Sequence, residues 1–175
     1  MVAAAIRGGK VTIDGLDGSS RQPDFQIAQV LTEMGCQVSI GHGSVTVESS
    51  GGRLDPIEMD LSAMPDGALA VAVACLFAKG ESRLDGLSSL RLKESDRLRG
   101  LAEQLQNVGG EAWIEDDGLV IVPRPLRPAT IETYGDHRIA MAFALIGQLQ
   151  EGIVIEAPEV ADKTWPGFWE MLDQL

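Results

Sequence analysis

Gly80-Glu81-Ser82-Arg83-Leu84-Asp85-Gly86-Leu87 reads as a short strand that closes on an Asp-Gly turn. Gly9-Lys10-Val11-Thr12-Ile13-Asp14-Gly15-Leu16 has the same form. The segments downstream of these two strands match as well. Ile27-Ala28-Gln29-Val30-Leu31-Thr32-Glu33-Met34-Gly35 and Leu101-Ala102-Glu103-Gln104-Leu105-Gln106-Asn107-Val108-Gly109 are both amphipathic helical patterns stopped by glycine. Gly43-Ser44-Val45-Thr46-Val47 and Gly118-Leu119-Val120-Ile121-Val122 then each supply a strand after a turn. The chain is built by repetition, and the repeated unit decides the fold.

A third copy begins later. Gly152-Ile153-Val154-Ile155-Glu156 takes the place of the first strand, and Pro166-Gly167-Phe168-Trp169-Glu170-Met171-Leu172 parallels Pro23-Asp24-Phe25-Gln26-Ile27-Ala28-Gln29. Two Ala-rich apolar stretches, Pro65–Lys79 and Ile139–Leu149, precede the second and third strands. Both are apolar around most of a helical circumference, which predicts helices buried on nearly all sides. In the first copy only Val2 to Ile6 of this helix remain. We therefore expect an α/β (α+β) lobe of three βαβ-type units, with buried helices inside and sheets outside. The units fall at about 1–58, 59–130 and 131–175, the first and last incomplete, and 1–175 is read as a single lobe. A chain that opens within a helix and stops within a repeat is expected to be a fragment of a longer protein, or a lobe completed by another chain. The competing reading is a natural domain with atypical capping repeats.

Composition narrows the function. The 175 residues are 45% hydrophobic and 23% charged, which is the balance of a folded globular domain. A net charge of −12 argues against nucleic-acid binding, which needs a basic face. The basic residues are nevertheless concentrated: Arg91, Lys93, Arg97 and Arg99 stand close together. Cys36 and Cys75 have no metal-ligand spacing and sit among apolar neighbours, as buried reduced thiols of a cytoplasmic protein do. The opening Met1-Val2-Ala3-Ala4-Ala5-Ile6-Arg7 is too short for a signal-peptide core, and no run reaches the ~18 apolar residues of a membrane span.

Three charged clusters lie at the N-terminal sides of helical patterns: Lys93-Glu94-Ser95-Asp96-Arg97, Tyr134-Gly135-Asp136-His137-Arg138 and Asp162-Lys163-Thr164-Trp165-Pro166. Helix N-termini favour anions through free N–H groups and the helix dipole. Three such clusters point to one pocket for a highly anionic small molecule. Arg97 and Arg138 carry the planar fork that holds carboxylate or phosphate bidentately. The plainer reading of Arg97 is an ion pair with Glu94 or Asp96 on a helix surface, worth about 0–1 kcal/mol. Lys163 taken alone reads as a solvated lysine, and Asp66, in Met64-Pro65-Asp66-Gly67-Ala68, as a helix cap or first-turn acid. His42, in Gly41-His42-Gly43, reads as a turn residue.

Taken together, Lys93-Glu94-Ser95-Asp96-Arg97, Asp136-His137-Arg138-Ile139-Ala140-Met141 and Lys163-Thr164-Trp165-Pro166 resemble the signatures of the 5-enolpyruvylshikimate-3-phosphate synthase family. The resemblance covers the whole chain, as the C-terminal lobe of such an enzyme, one lobe of the enolpyruvyl transferase fold. The first two motifs distinguish it from the related UDP-N-acetylglucosamine enolpyruvyl transferases. The resemblance implies transfer of the enolpyruvyl group of phosphoenolpyruvate to the 5-hydroxyl of shikimate 3-phosphate, with release of phosphate and no metal or organic cofactor. It implies glyphosate as a competitor at the phosphoenolpyruvate site, and an N-terminal lobe as the partner that completes the cleft. By the same resemblance Arg97, Arg138 and Lys163 hold phosphoenolpyruvate, and Lys93 contacts the shikimate 3-phosphate side. Asp66 is the proton acceptor and Glu94 handles the methylene proton. His137 is a proton shuttle or a hydrogen-bond donor to Glu94. The sequence departs from the family at Trp165, where Phe is common, and at Ser89, where some members carry Asn. The rivals are a catalytically inactive anion-binding module and a structural repeat domain of the same fold.

Overall fold

The computed structural model describes residues 1–16 and 18–175. The first segment runs α1 (Val2–Arg7), β1 (Gly9–Asp14), α2 (Ile27–Glu33), β2 (Gln37–Ile40) and β3 (Ser44–Ser49). The middle runs β4 (Glu58–Asp60), α3 (Ala68–Cys75), β5 (Ser82–Asp85), α4 (Arg97–Asn107), β6 (Glu111–Glu115) and β7 (Gly118–Val122). The last runs β8 (Ala129–Ile131), α5 (His137–Ala144), β9 (Ile153–Ile155) and α6 (Phe168–Leu172).

The three sheets share parts of one strand order. The middle sheet has the order β4-β5-β7-β6, with β4 parallel to β5 and the rest antiparallel. The first sheet, β1-β3-β2, is all antiparallel and repeats the β5-β7-β6 part. The last, β8-β9, is parallel and repeats the β4-β5 part. Each parallel pair is joined through a buried helix, because parallel strands need a long crossover. The parallel edge strands β4 and β8 are absent from the sequence expectation.

Helix α3 packs against both α1 and α5 at the centre. On α3 every side chain except Ala70 is fully buried. Each sheet turns one face outward: Glu111, Trp113 and Glu115 of β6 are exposed, while Ala112 between them is buried. That alternation is the period of a strand with one wet face.

Two helices are shorter than their apolar runs. The predicted Pro65–Lys79 helix is regular only over Ala68–Cys75. Beyond it the backbone is diverted, since Phe77 O accepts from Leu54 N at 2.9 Å and Lys79 N donates to Leu54 O at 2.8 Å. The predicted Ile139–Leu149 helix starts earlier, at His137, and tightens into a 3₁₀ turn over Leu145–Gln148.

Gly100 sets how closely α4 approaches α5. A Cβ there would stand 2.9 Å from Ile139 Cδ1 and 3.1 Å from Tyr134 Cε2. Gly100→Ala is therefore expected to destabilise the chain by about 1–3 kcal/mol, despite alanine's better helix propensity. Urea unfolding checks this; an unchanged or raised midpoint would show that the interface yields.

Candidate active site

Two helix caps build the site. Asp96 caps α4: its Oδ1 accepts from Arg99 N at 3.0 Å. Asp136 caps α5: its Oδ1 accepts from Arg138 N at 2.9 Å. Short polar acids are favoured at this position because they satisfy the free N–H groups of the first turn. The two N-termini meet through a single arginine. Arg97, the first residue of α4, donates from Nε to Asp136 Oδ2 at 2.7 Å and from Nη2 to Asp136 Oδ1 at 3.1 Å. Ser95 Oγ adds a third bond to Asp136 Oδ2 at 3.1 Å.

Asp136 is fully buried and the Arg97 side chain is 3% exposed. Burial alone would raise the pKa of Asp136, but the Arg97 fork, the Arg138 N–H and Ser95 outweigh it and hold the carboxyl below the ordinary range. Burial likewise opposes the charge on Arg97, and Asp136, with Asp66 and Glu94, more than restores it. The pair is a charge-assisted, bidentate lock between α4 and α5.

The remaining groups gather around this lock. Asp66 Oδ1 lies 2.9 Å from Arg97 Nη1 and 3.4 Å from Lys93 Nζ, and its Oδ2 lies 3.2 Å from Arg138 Nη2. Glu94 Oε2 accepts from Arg97 Nη2 at 2.9 Å. Its Oε1 pairs with Lys163, which arrives at the end of the 3₁₀ turn Pro158–Lys163. Lys163 is the largest influence on Glu94 and holds its carboxyl below the ordinary value, against desolvation. His137 Nδ1 is buried, 3.0 Å from Glu94 Oε2 yet outside hydrogen-bond geometry, and it has no hydrogen-bond partner among the described residues.

Asp66, Lys93, Glu94, Arg97, His137 and Arg138 line one cavity of about 290 Å³. All seven residues singled out in the sequence are thus brought together, Lys163 through its contact with Glu94. Four cations face three carboxylates, so the cluster carries an excess of positive charge in an otherwise acidic chain.

Two placements differ from the plainer readings of the sequence. Asp66 does not cap its helix: Gly67 stands at the N-cap of α3, and the Asp66 carboxylate turns to the cations. Arg97 is buried rather than on a helix surface, and the acid it shares with its own segment is Glu94, while Asp96 serves the backbone. Asp136 enters the sequence reading only as part of a motif. Its position one residue before a helical pattern is the available signal of a cap, but nothing in the sequence joins it to Arg97.

Glu94, Asp136 and His137 each offer a donor atom within 4.8 Å of the others. These oxygens already serve Arg97, Lys163, Ser95 and the Arg138 N–H. A divalent cation there would have to displace Arg97 or Lys163, so the donor set does not suit a resident metal.

The family model of EPSP synthase (3-phosphoshikimate 1-carboxyvinyltransferase) matches residues 1–172. This chain belongs to the EPSP synthase family. It is 39% identical over 169 residues to the 3-phosphoshikimate 1-carboxyvinyltransferase of Methanoculleus marisnigri, covering 97% of this chain and 40% of that protein. The relative from Sulfurovum sp. is 39% identical over 176 residues, covering 100% of this chain and 41% of that protein. The structure of EPSP synthase from Acinetobacter baumannii superposes with a TM-score of 0.87 at 25% identity, over 99% of this chain and 43% of the other. The enolpyruvyl transferase NikO from Streptomyces tendae shares the fold, with a TM-score of 0.70 at 20% identity, over 99% of this chain and 41% of the other. The chain thus spans about 40% of the length of the curated EPSP synthase relatives it matches. None of the helices among its described residues is long and apolar enough to cross a membrane.

Proposed function

We propose that this chain is the C-terminal lobe of a cytoplasmic 3-phosphoshikimate 1-carboxyvinyltransferase of the shikimate pathway to aromatic amino acids. The reaction moves the enolpyruvyl group of phosphoenolpyruvate to the 5-hydroxyl of shikimate 3-phosphate. The observation that carries this reading is the cavity in which Lys93, Arg97 and Arg138 face Asp66, Glu94 and His137. Two phosphates and a carboxylate need several cations, and the proton transfers need an acid and a base.

In this reading Asp66 takes the hydroxyl proton while the oxygen adds to the substituted carbon of phosphoenolpyruvate. Glu94 supplies a proton to the methylene carbon, and His137 stands beside it. The Glu94 carboxylate then takes a proton back from the resulting methyl group, which restores the double bond and expels phosphate. Arg97, Arg138 and Lys163 hold phosphoenolpyruvate, and glyphosate would compete there. Lys93 contacts the shikimate 3-phosphate side. Anionic substrates compete with Asp66 and Glu94 for the same cations, so binding releases the two carboxylates for proton transfer. The opposite lobe would close the cleft, exclude water and supply the rest of the anion contacts.

A complementation assay tests the proposal. This chain is mixed with the separately expressed N-terminal portion, both substrates are added, and phosphate release is followed. Release that requires both pieces, and that Asp66→Ala abolishes, is expected. Absence of release from pieces shown to be folded and associated would favour an inactive anion-binding lobe.

A further inference from the structure

Asp24 lies outside the cavity, in the 3₁₀ turn Pro23–Gln26 that leads into α2. Its Oδ1 accepts from Gly67 N at 3.1 Å, across 43 residues of sequence. Gly67 is the N-cap of α3 and follows Asp66 directly. That helix receives no side-chain cap from its own segment. Within the segment, the Gly67 N–H has only Met64 O, at 3.1 Å. A carboxylate from the first segment therefore serves as a cap on a helix of the middle segment. The bare α-carbon of Gly67 permits it: a Cβ there would lie 3.3 Å from Asp24 Oδ1.

We propose that Asp24 is a positioning residue for Asp66. By pinning the Gly67 N–H, Asp24 fixes the Pro65–Gly67 turn and so fixes where the Asp66 carboxylate stands against Arg97, Arg138 and Lys93. This rests on the reading of Asp66 as the proton acceptor. Without Asp24 the Gly67 N–H keeps only its local bond to Met64 O, while Asp66 is pulled by three cations at 2.9–3.4 Å. When substrate takes those cations, the released carboxylate then has no fixed position against the substrate hydroxyl. A misplacement of ~1 Å in a reacting group costs on the order of 10²-fold in rate. The effect is geometric, since an amide oxygen at the same reach accepts the same bond.

The test uses the complete enzyme, both lobes present, with Asp24→Ala, Asp24→Asn and Asp24→Glu. Asp24→Ala is expected to lower kcat by roughly 10- to 100-fold, with KM for both substrates little changed, and to speed hydrogen exchange at the Gly67 amide. Asp24→Asn is expected to restore most of kcat and the slow exchange. An unchanged kcat in Asp24→Ala overturns the proposal, and so does an Asn variant as impaired as the alanine one, which would make charge the operative property. Should Asp24→Ala fail to fold, the other two variants decide. Asn keeps the reach of the acceptor and Glu overshoots it by one methylene, so Glu equal to the parent with Asn impaired overturns the proposal. Asp66→Asn separates the underlying reading: if it keeps full kcat, Asp66 is not the base. The Gly67 exchange rate still reports whether Asp24 holds the turn.

Discussion

Asp136→Ala is expected to lower the unfolding free energy of the chain by about 3–5 kcal/mol. The reason is the company this carboxylate keeps. It is fully buried, and it satisfies Arg97 twice, Ser95 once and the first turn of α5 once. Removing it leaves a guanidinium 3% exposed whose remaining partners among the described residues are the partly exposed Asp66 and Glu94. An uncompensated buried charge costs more than the pair itself contributes. Asp136→Asn should be nearly as harmful, because its amide N–H₂ faces an arginine that can only donate. Urea unfolding measures the loss; a change below about 1 kcal/mol would mean that Arg97 escapes to water when freed. The pH dependence has a definite sign. The folded pKa of Asp136 is depressed, so its contribution is fully present above the unfolded value of about 3.9 and is lost as pH falls through the folded value. In Asp136→Ala that part of acid destabilisation should vanish.

The strand-turn-helix units were legible because each carries local chemistry that forces it. Asp85-Gly86 ends β5, and Gly86 has φ of +74° where only glycine is unstrained. Glycine also stops α2 and α4, and Asp96 and Asp136 start α4 and α5. The edge strands β4 and β8 were not legible. Each is three residues long and pairs with a strand beyond a buried helix, so no local period announces it. The ends of α3 were hidden for a related reason: the apolar run continues past Cys75, but the bonds that divert it come from Leu54. At the site, the residues that touch anions by resemblance were legible as charged clusters. The residues that hold them were not. Asp24 and Asp136 act through partners 43 and 39 residues away, and a sequence window cannot see such pairs.

Glu94→Gln is expected to lower kcat of the complete enzyme by about 10²–10⁴-fold, with a smaller change in KM for either substrate. Glutamine keeps the size of the side chain and can still accept from Arg97, but it has no proton to give to the methylene carbon. The difficulty for Glu94 as an acid is Lys163, which holds its carboxyl below the ordinary value. If phosphoenolpyruvate draws Lys163 away, as proposed, Glu94 regains its proton affinity at the moment the proton is needed. This yields a second observable. Lys163→Met should raise the Glu94 titration, followed by carboxyl NMR, toward the ordinary value of about 4.3. The stability drawn from this ion pair is present above the unfolded value and fades as pH falls through the folded one, so the Met variant should lose stability at neutral pH and little in acid. The solvent-facing pair limits that difference to a small one. A Glu94→Gln enzyme retaining more than about a tenth of kcat would remove Glu94 from the proton transfer. It would leave Glu94 as the residue that keeps Arg97 and Lys163 in register, and His137 as the nearest remaining donor.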